Sequence, residues 1–324
     1  MRPSITIAVV SWNTRDLLRR CLDSMAGEAA SGRTEVWVID NASSDGSAGM
    51  VRREFPWARL IASEDNLGFG PAVNEIARRT RGEWIAPANA DIALTEGTLE
   101  ALLAAVRPGD GVLAPRLVLA DGSTQHSVHA FPGLWLAVLF MLGAYRIPRV
   151  GNRLCIEGYW RPERPRVVDW AHGAFLLVRR EAFDAVGGFD PAQWMYAEDI
   201  DLQWRLGLAG WSARYEPTAR VRHAHSAATT KAFGDSRTER HLLATYDWLA
   251  RRRGVGVARA SALVNATAAG LRWLAFALAA AIAPGRFAAR RTELALYARG
   301  HLAGLRAAGG RDDRQARAAP GQVA

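Results

Sequence analysis

"SITIAVVSW", Ser4 to Trp12, runs straight into "NTRDLLRRCLDSMA", Asn13 to Ala26, and this succession decides the fold. The first stretch is a continuous run of mostly aliphatic residues of strand length, which reads as a buried strand. The second brings Leu17, Leu18, Cys21, Leu22 and Met25 together at helical spacing. The alternation then recurs. "EVWVIDNAS" (Glu35–Ser43) and "ARLIAS" (Ala58–Ser63) read as strands, "GPAVNEIARRT" (Gly70–Thr80) as a helix and "GEWIAPANADI" (Gly82–Ile92) as a fourth strand. Repeated strand–helix units predict an α/β fold with a mostly parallel sheet and flanking helices. No internal repeat is visible.

The chain has 324 residues and is 49% hydrophobic, enough for a substantial core. Its two cysteines, Cys21 and Cys155, make neither a disulfide framework nor a metal-ligand pair, which suits a reducing, cytoplasmic setting. The apolar part of "MRPSITIAVVSW" is too short for a signal peptide. No uninterrupted apolar run reaches about 18–20 residues, so no conventional spanning helix is expected. The net charge of +9 is concentrated late: 15 Arg and 5 acids follow residue 235, whereas residues 1–235 hold 26 basic and 27 acidic side chains. A basic tail suggests an anionic partner, a membrane surface or nucleic acid. Because Lys231 is the only lysine, an Arg-rich composition also accounts for part of it.

Late segments differ from the alternating start. "LWLAVLFMLGA" (Leu134–Ala144) is an 11-residue apolar run, either a buried helix or a surface for a greasy partner. Helices are predicted over about 237–253, 257–283 and 286–308. The last mixes Arg with Phe287, Leu294, Tyr297 and Leu305, as an interfacial helix does. The expected organisation is a domain over 1–235, a basic helical extension over 236–308 and a disordered tail over 309–324.

In open α/β sheets ligands bind at the carboxyl ends of the strands. Polar clusters follow four strands: "SWN" (Ser11–Asn13), "DNASSDGS" (Asp40–Ser47), "NADI" (Asn89–Ile92) and "RHAHS" (Arg222–Ser226). Singly each also reads as a cap, a turn or a surface residue. "MYAEDIDLQWR" (Met195–Arg205) adds three carboxylates at a loop-to-helix junction. Asp201 and Arg205, four apart, pair along a helix face. Glu198 and Asp199 start the periodicity and could simply be a solvated helix end. A phosphate loop is excluded because no GxxxxGK[ST] occurs, and "GFGPAV" lacks the third glycine of a dinucleotide fingerprint.

The order "VVSWNTRDLLRRCLDSM", "VWVIDNASSDGS", "NLGFGPAVN", "WIAPANADI", "HGAFLLVRREAFDAVGGFD" and "MYAEDIDLQWRLGLAGW" resembles family 2 glycosyltransferases of the GT-A fold, over about residues 4–230. Within them it is most similar to the bacterial rhamnosyltransferase-like branch, to which "NLGFG…N" and "DGSTQHS…FP" also point. The resemblance implies an inverting transfer of a sugar, rhamnose for this branch, from a nucleotide-diphosphate sugar to a hydroxyl of a saccharide or polyprenyl-linked saccharide in cell-surface glycan synthesis. It places Ser11, Asn13, Asp40, Asn66, Gly68, Asn74 and Asn89 on the donor side. Gly173, Ala174 and Trp194 fall on the acceptor side. Asp91 matches the second acid of the family's DxD motif and, with His223, would hold a divalent cation, Mg²⁺ or Mn²⁺. Asn89 departs from that motif by standing where the first Asp would be. His225 is the alternative to His223. Asp199 matches the catalytic base, Glu198 would orient the acceptor or the base, and Asp201 and Arg205 remain structural.

Two other functions fit parts of the sequence. A sugar nucleotidyltransferase needs a Gly-rich basic loop after the first strand, and "SWNTRD" lacks one. A GT-A domain that binds sugar nucleotide without turnover is kept open by Asn89. A nucleic-acid binder needs aromatics interleaved with the basic residues in a recognisable module, which is not seen. The basic tail and the apolar run together favour the inner face of an anionic membrane.

Overall fold

The computed structural model describes residues 4–224, 237–282 and 287–308. They fall into two compact units, one of residues 1–129 and 161–231, the other of 130–160 and 232–324. In chain order the elements are β1 (Ile5–Ser11), α1 (Arg15–Ala30), β2 (Thr34–Asn41), α2 (Ser47–Glu54), β3 (Arg59–Ser63), α3 (Phe69–Arg79) and β4 (Trp84–Asn89). Then come β5 (Ile92–Leu94), α4 (Thr98–Ala104), β6 (Asp110–Val118), β7 (Val128–His129), α5 (Leu134–Met141), α6 (Pro148–Arg153), β8 (Arg166–Val168), β9 (Trp170–Ala171) and β10 (Leu177–Arg179). Helix α7 (Arg180–Ala185), α8 (Glu198–Leu208) and β11 (Ser212–His223) complete the first unit. The second continues with α9 (Arg237–Arg253), α10 (Val255–Ile282) and α11 (Ala288–Ala307).

The sheet runs β3–β2–β1–β4–β10–β6–β11–β5, with β8 also paired to β11. Strands β1 to β4, β6 and β11 share one direction, and β5, β8 and β10 oppose them. The fold is thus the expected α/β arrangement with a mostly parallel sheet. Its core forms where the first strand and helix meet: Ile7, Val9, Leu18, Cys21, Leu22 and Met25 have no solvent exposure. Each large aliphatic side chain so buried contributes about 1.5–3 kcal/mol.

One predicted strand is two. β4 stops at Asn89, and after the Ala90–Asp91 turn the chain joins β11 as the antiparallel strand β5. The pull comes from β11: Ile92 pairs with His223, and Asp91 O accepts from Ala224 N at 2.9 Å. That exchange sets Asp91 beside His223.

In the second unit Tyr246 ties three helices, its hydroxyl 2.8 Å from His301 Nδ1 and accepting from Asn265 Nδ2 at 3.1 Å. Segment 130–160, which the sequence reading kept in the first domain, clusters instead with the C-terminal helices, because α5 packs along α10. A second difference concerns the membrane. Val255–Ala280 is 26 residues long with mean hydropathy 1.4, long and apolar enough to cross a bilayer by length and composition. Asn265, Thr267 and Arg272 interrupt the apolar run, so the sequence shows no uninterrupted spanning stretch there. The stretches 225–236 and 309–324, with His225 and the expected tail, lie outside the described residues.

Candidate active site

Most of the residues singled out in the first unit gather along one edge of its sheet. Asp40 and Ser11 are register partners on β2 and β1, and Val10 pairs with Asn89 on β4. Asn89 N donates to Ala174 O at 2.9 Å. The next residue back, Gly173, donates its N–H to Asp199 Oδ2 at 3.0 Å. Asp40, Ser11, Asn89, Ala174, Gly173 and Asp199 therefore form a line across the carboxyl ends of the strands.

At one end of the line, Asp40 Oδ2 accepts from Ser43 N at 3.2 Å, while its buried Oδ1 has no protein partner. A buried carboxylate oxygen without a donor is costly and is suited to a ligand N–H. Ser11 Oγ lies 3.1 Å from Thr14 Oγ1. Asn13 sits in the left-handed region at φ 53°, which Asn tolerates better than most residues. Its side-chain oxygen accepts from Ser44 N at 2.8 Å and its own N–H donates to Ser43 Oγ at 2.9 Å. It staples the loops after β1 and β2.

The "NLGFGPAVN" residues build a wall. Asn66 Oδ1 accepts from Gly68 N at 3.0 Å, and Gly68 O accepts from Asn41 Nδ2 at 3.2 Å. Gly68 has φ 82°, and a Cβ there would lie 2.5 Å from Trp194 O, so only glycine fits. Asn74 clamps Phe189 through both backbone groups, at 2.8 and 2.9 Å. The Asn74 amide thus holds the loop that leads to α8 at Phe189, and the Asn66 backbone O accepts from Trp194 Nε1 in that loop at 3.4 Å, while the Asn66 amide closes its own turn.

The acids at the head of α8 are held under strain. Tyr196 (φ 60°) and Ala197 (φ 76°) are consecutive non-glycine residues in the left-handed region, each costing about 1–2 kcal/mol. Asp199 Oδ2 is fixed by Gly173 N and Oδ1 by Ile200 N, at 3.0 and 2.8 Å. Glu198 Oε2 is buried with no protein partner. Burial raises the Glu198 carboxyl to about 8, helped by the neighbouring Asp199 charge. Burial also raises Asp199, opposed by the N–H groups of Gly173 and Ile200. Of the two neighbouring carboxyls, Glu198 has no hydrogen bond at Oε2 to favour its ionised form, whereas both oxygens of Asp199 accept backbone N–H groups that favour its charge.

Asp201 and Arg205 behave as the helix spacing indicates. Asp201 is fully buried and pairs with Arg205 Nε at 2.7 Å, and the guanidinium also donates to Val186 O and Gly188 O, each at 2.7 Å. Gln203 was not anticipated. Its Oε1 accepts from Ala171 N at 2.8 Å and its Nε2 donates to Ala171 O at 2.7 Å, docking α8 on β9 two residues before Gly173. A polar residue four positions after Asp199, on a face that otherwise packs inward, was the available signal.

Asp91 and His223 form a separate buried pair, 8% and 7% exposed, with His223 Nε2 3.3 Å from Asp91 Oδ1. Cis ligands about 2.1 Å from a hard cation lie about 3 Å apart, so carboxylate and imidazole fit as two ligands of one ion. Among the described residues no group of three His, Cys, Asp or Glu side chains could hold a metal. Remaining ligands would have to be solvent or substrate oxygens, the usual case for Mg²⁺.

Fold and site together define a glycosyltransferase of the GT-A type. Residues 6–187 match the profile of "Glycosyl transferase family 2", and residues 161–295 that of "Glycosyl transferase family group 2". The chain belongs to glycosyl transferase family 2. It is 34% identical over 267 residues to the N-acetylglucosaminyl-diphospho-decaprenol L-rhamnosyltransferase of Mycobacterium tuberculosis, covering 78% of this chain and 86% of that one. The Escherichia coli rhamnosyltransferase WbbL is 38% identical over 131 residues, 40% of this chain and 46% of the relative. Among solved structures, the mannosyltransferase PcManGT of Pyrobaculum calidifontis, in complex with GDP-Man and Mn²⁺, superposes with TM-score 0.58 at 19% identity, over 94% of this chain and 87% of that one. GalNAc-T7 with UDP, GalNAc and Mn²⁺ gives 0.51 at 14% identity over 68% and 44%.

Proposed function

We propose that this glycosyltransferase transfers rhamnose, with inversion, from a nucleotide-diphosphate sugar to a hydroxyl of a polyprenyl-diphosphate-linked saccharide at a membrane surface. The observation that carries the reading is the Glu198–Asp199 pair: a carboxylate locked by two backbone N–H groups beside a carboxyl whose buried Oε2 has no protein partner, on the strand-end line that begins at Asp40. In the reaction the acceptor oxygen attacks the anomeric carbon from the face opposite the leaving group. The new C–O bond forms as the bond to the β-phosphate oxygen breaks, the electron pair leaves with the nucleoside diphosphate, and Asp199 takes the hydroxyl proton. Protonated Glu198 donates a hydrogen bond on the acceptor side, next to Gly173, Ala174 and Trp194. Asp40 Oδ1 accepts an N–H of the base, and Ser11, Asn13 and Asn89 complete the donor side. Asn66, Gly68 and Asn74 serve the donor site by shaping its wall.

Asp91 and His223 would hold Mg²⁺ or Mn²⁺, which when bound neutralises charge on the leaving diphosphate. The acceptor class rests on similarity to the mycobacterial enzyme and on the second unit. Leu263, Leu271, Leu274 and Leu278 are 50–65% exposed and fall on one stripe of α10. α10 also packs along α9 and α11, which carry Arg251, Arg252, Arg253, Arg290, Arg291, Arg299 and Arg306. Spanning a bilayer would draw arginines toward the hydrocarbon at about 2.5–3.5 kcal/mol each at its centre, so the helices lie at an anionic interface. A second unit held at such an interface on the cytoplasmic side would keep the enzyme at the surface that carries lipid-linked acceptors.

The test is a donor screen. Full-length protein with Mg²⁺ or Mn²⁺ is offered UDP-, dTDP- and GDP-sugars and a polyprenyl-linked saccharide, and nucleotide release is scored. Acceptor-dependent release from a rhamnose donor, lost with EDTA or in Asp91→Ala, is expected. Release that ignores both treatments removes the metal role, and no release with any donor removes the function.

A further inference from the structure

Gln125 has no part in that account, yet its position gives it one. It lies on the hairpin leaving β6, where its N–H donates to Leu117 O at 2.9 Å and Val118 bridges Thr124. Such a hairpin has no packing need for a buried amide. The residue is nonetheless only 5% exposed, and its Oε1 reaches His223 Nδ1 at 2.6 Å, across 98 residues of sequence. An amide oxygen can only accept, so Nδ1 carries the hydrogen. A neutral imidazole has one N–H, and with Nδ1 as donor the Nε2 lone pair is directed outward from the hairpin. It is Nε2 that lies 3.3 Å from Asp91 Oδ1. Two acceptors at that spacing could chelate a cation, and a ring nitrogen without its hydrogen, here Nε2, is what a metal-binding histidine must offer.

The hairpin is itself anchored on the opposite side. Ser127 O accepts from His172 N at 2.9 Å, and Val128 and His129 pair with Ala171 and Trp170, immediately before Gly173 and its bond to Asp199. Residues 125–129 thus span from the Asp91–His223 pair to the strand that fixes the base.

We propose that Gln125 is a positioning residue that holds His223 in its Nδ1–H tautomer, so that Nε2 is presented beside Asp91 to a hard divalent cation. This rests on the reading of Asp91 and His223 as metal ligands. The experiment separates the two. Full-length protein labelled with ¹⁵N in the imidazole rings is examined by NMR at about pH 8.5, two units above the ordinary histidine value. His223 is assigned by the signal lost in His223→Ala. Mn²⁺ alone is then titrated into each protein and followed by electron paramagnetic resonance.

The expected wild-type signal is the Nδ1–H tautomer. Gln125→Glu, which still accepts from Nδ1, should keep that tautomer and bind Mn²⁺ at least as tightly. Gln125→Leu should lose the tautomer preference and bind Mn²⁺ about 10–100-fold more weakly, the usual effect of removing such an outer partner. An Nε2–H tautomer in the wild type overturns the inference without any variant, so a Gln125→Leu protein that fails to fold leaves it testable. If His223→Ala weakens Mn²⁺ binding and folded Gln125→Leu does not, the role of Gln125 is wrong and the metal pair stands. If His223→Ala leaves Mn²⁺ binding unchanged, the metal pair is wrong and the proposal falls with it.

Discussion

Replacing Asp199 by Asn removes a charge and almost no volume, and the structure says how the loss divides between stability and chemistry. Both carboxylate oxygens accept a backbone N–H, from Gly173 at 3.0 Å and from Ile200 at 2.8 Å. An amide has one oxygen, so one of these donors would face an NH₂ group. Losing that charge-assisted bond costs about 1.5–3 kcal/mol, partly offset because a half-buried charge beside Glu198 disappears. A net loss of about 1–2 kcal/mol lowers Tm by roughly 2–8 °C. Turnover should fall much further, by about 10²–10⁴-fold, or about 3–5 kcal/mol in the transition state. Asp201→Asn should show the opposite balance. It breaks a fully buried ion pair with Arg205, at about 3–5 kcal/mol of stability, but touches no reacting group. Transfer is measured with saturating donor and acceptor, beside thermal melts of both proteins. If Asp201→Asn, still folded, is the one that abolishes turnover, the base has been misplaced.

Other predictions follow from the same geometry. Glu198 is raised from 4.5 to about 8, so its contribution to stability is complete below about pH 4.5 and is lost as pH rises through 8. Glu198→Gln cannot ionise, so its stability relative to wild type should climb across that window; urea melts giving a pH-independent difference would contradict this. Gly68→Ala should destabilise by about 2 kcal/mol or more, because φ 82° and the 2.5 Å approach to Trp194 O both oppose a Cβ; an unchanged Tm refutes it. Changing Leu271, Leu274 and Leu278 together to Glu should release full-length protein from anionic vesicles in sedimentation, while solution melts move little because these side chains are 50–65% exposed; retained binding at low salt means the stripe is not the contact.

The strand–helix order was legible because each element announces itself locally. Leu18, Cys21, Leu22 and Met25 mark one helix face, and all four are buried. The three C-terminal helices, α9 to α11, start and stop within about two residues of their sequence expectation for the same reason. What was not legible depends on distant chain. The split of β4 from β5 is decided by β11, more than a hundred residues later, and the Asp91–His223 pair with it. Gln203 and Gln125 look like ordinary polar residues until the partners on β9 and β11 are known. Asn66 and Asn74 stood out as motif residues, but only the structure shows their amides bonded to backbone. The apolar character of α10 was hidden by a few polar residues that a long helix tolerates.

The central claim is that Asp199 deprotonates a lipid-linked acceptor as it attacks a nucleotide sugar. Its most direct test incubates the full-length protein with a nucleotide-diphosphate rhamnose and a polyprenyl-diphosphate saccharide in vesicles, and reads the glycolipid product by mass and by the configuration of its new anomeric centre. One added deoxyhexose, inverted relative to the donor and formed at least about a hundredfold more slowly by folded Asp199→Asn, is the predicted result. A product of retained configuration, or an equal rate from the Asp199 variant, contradicts it.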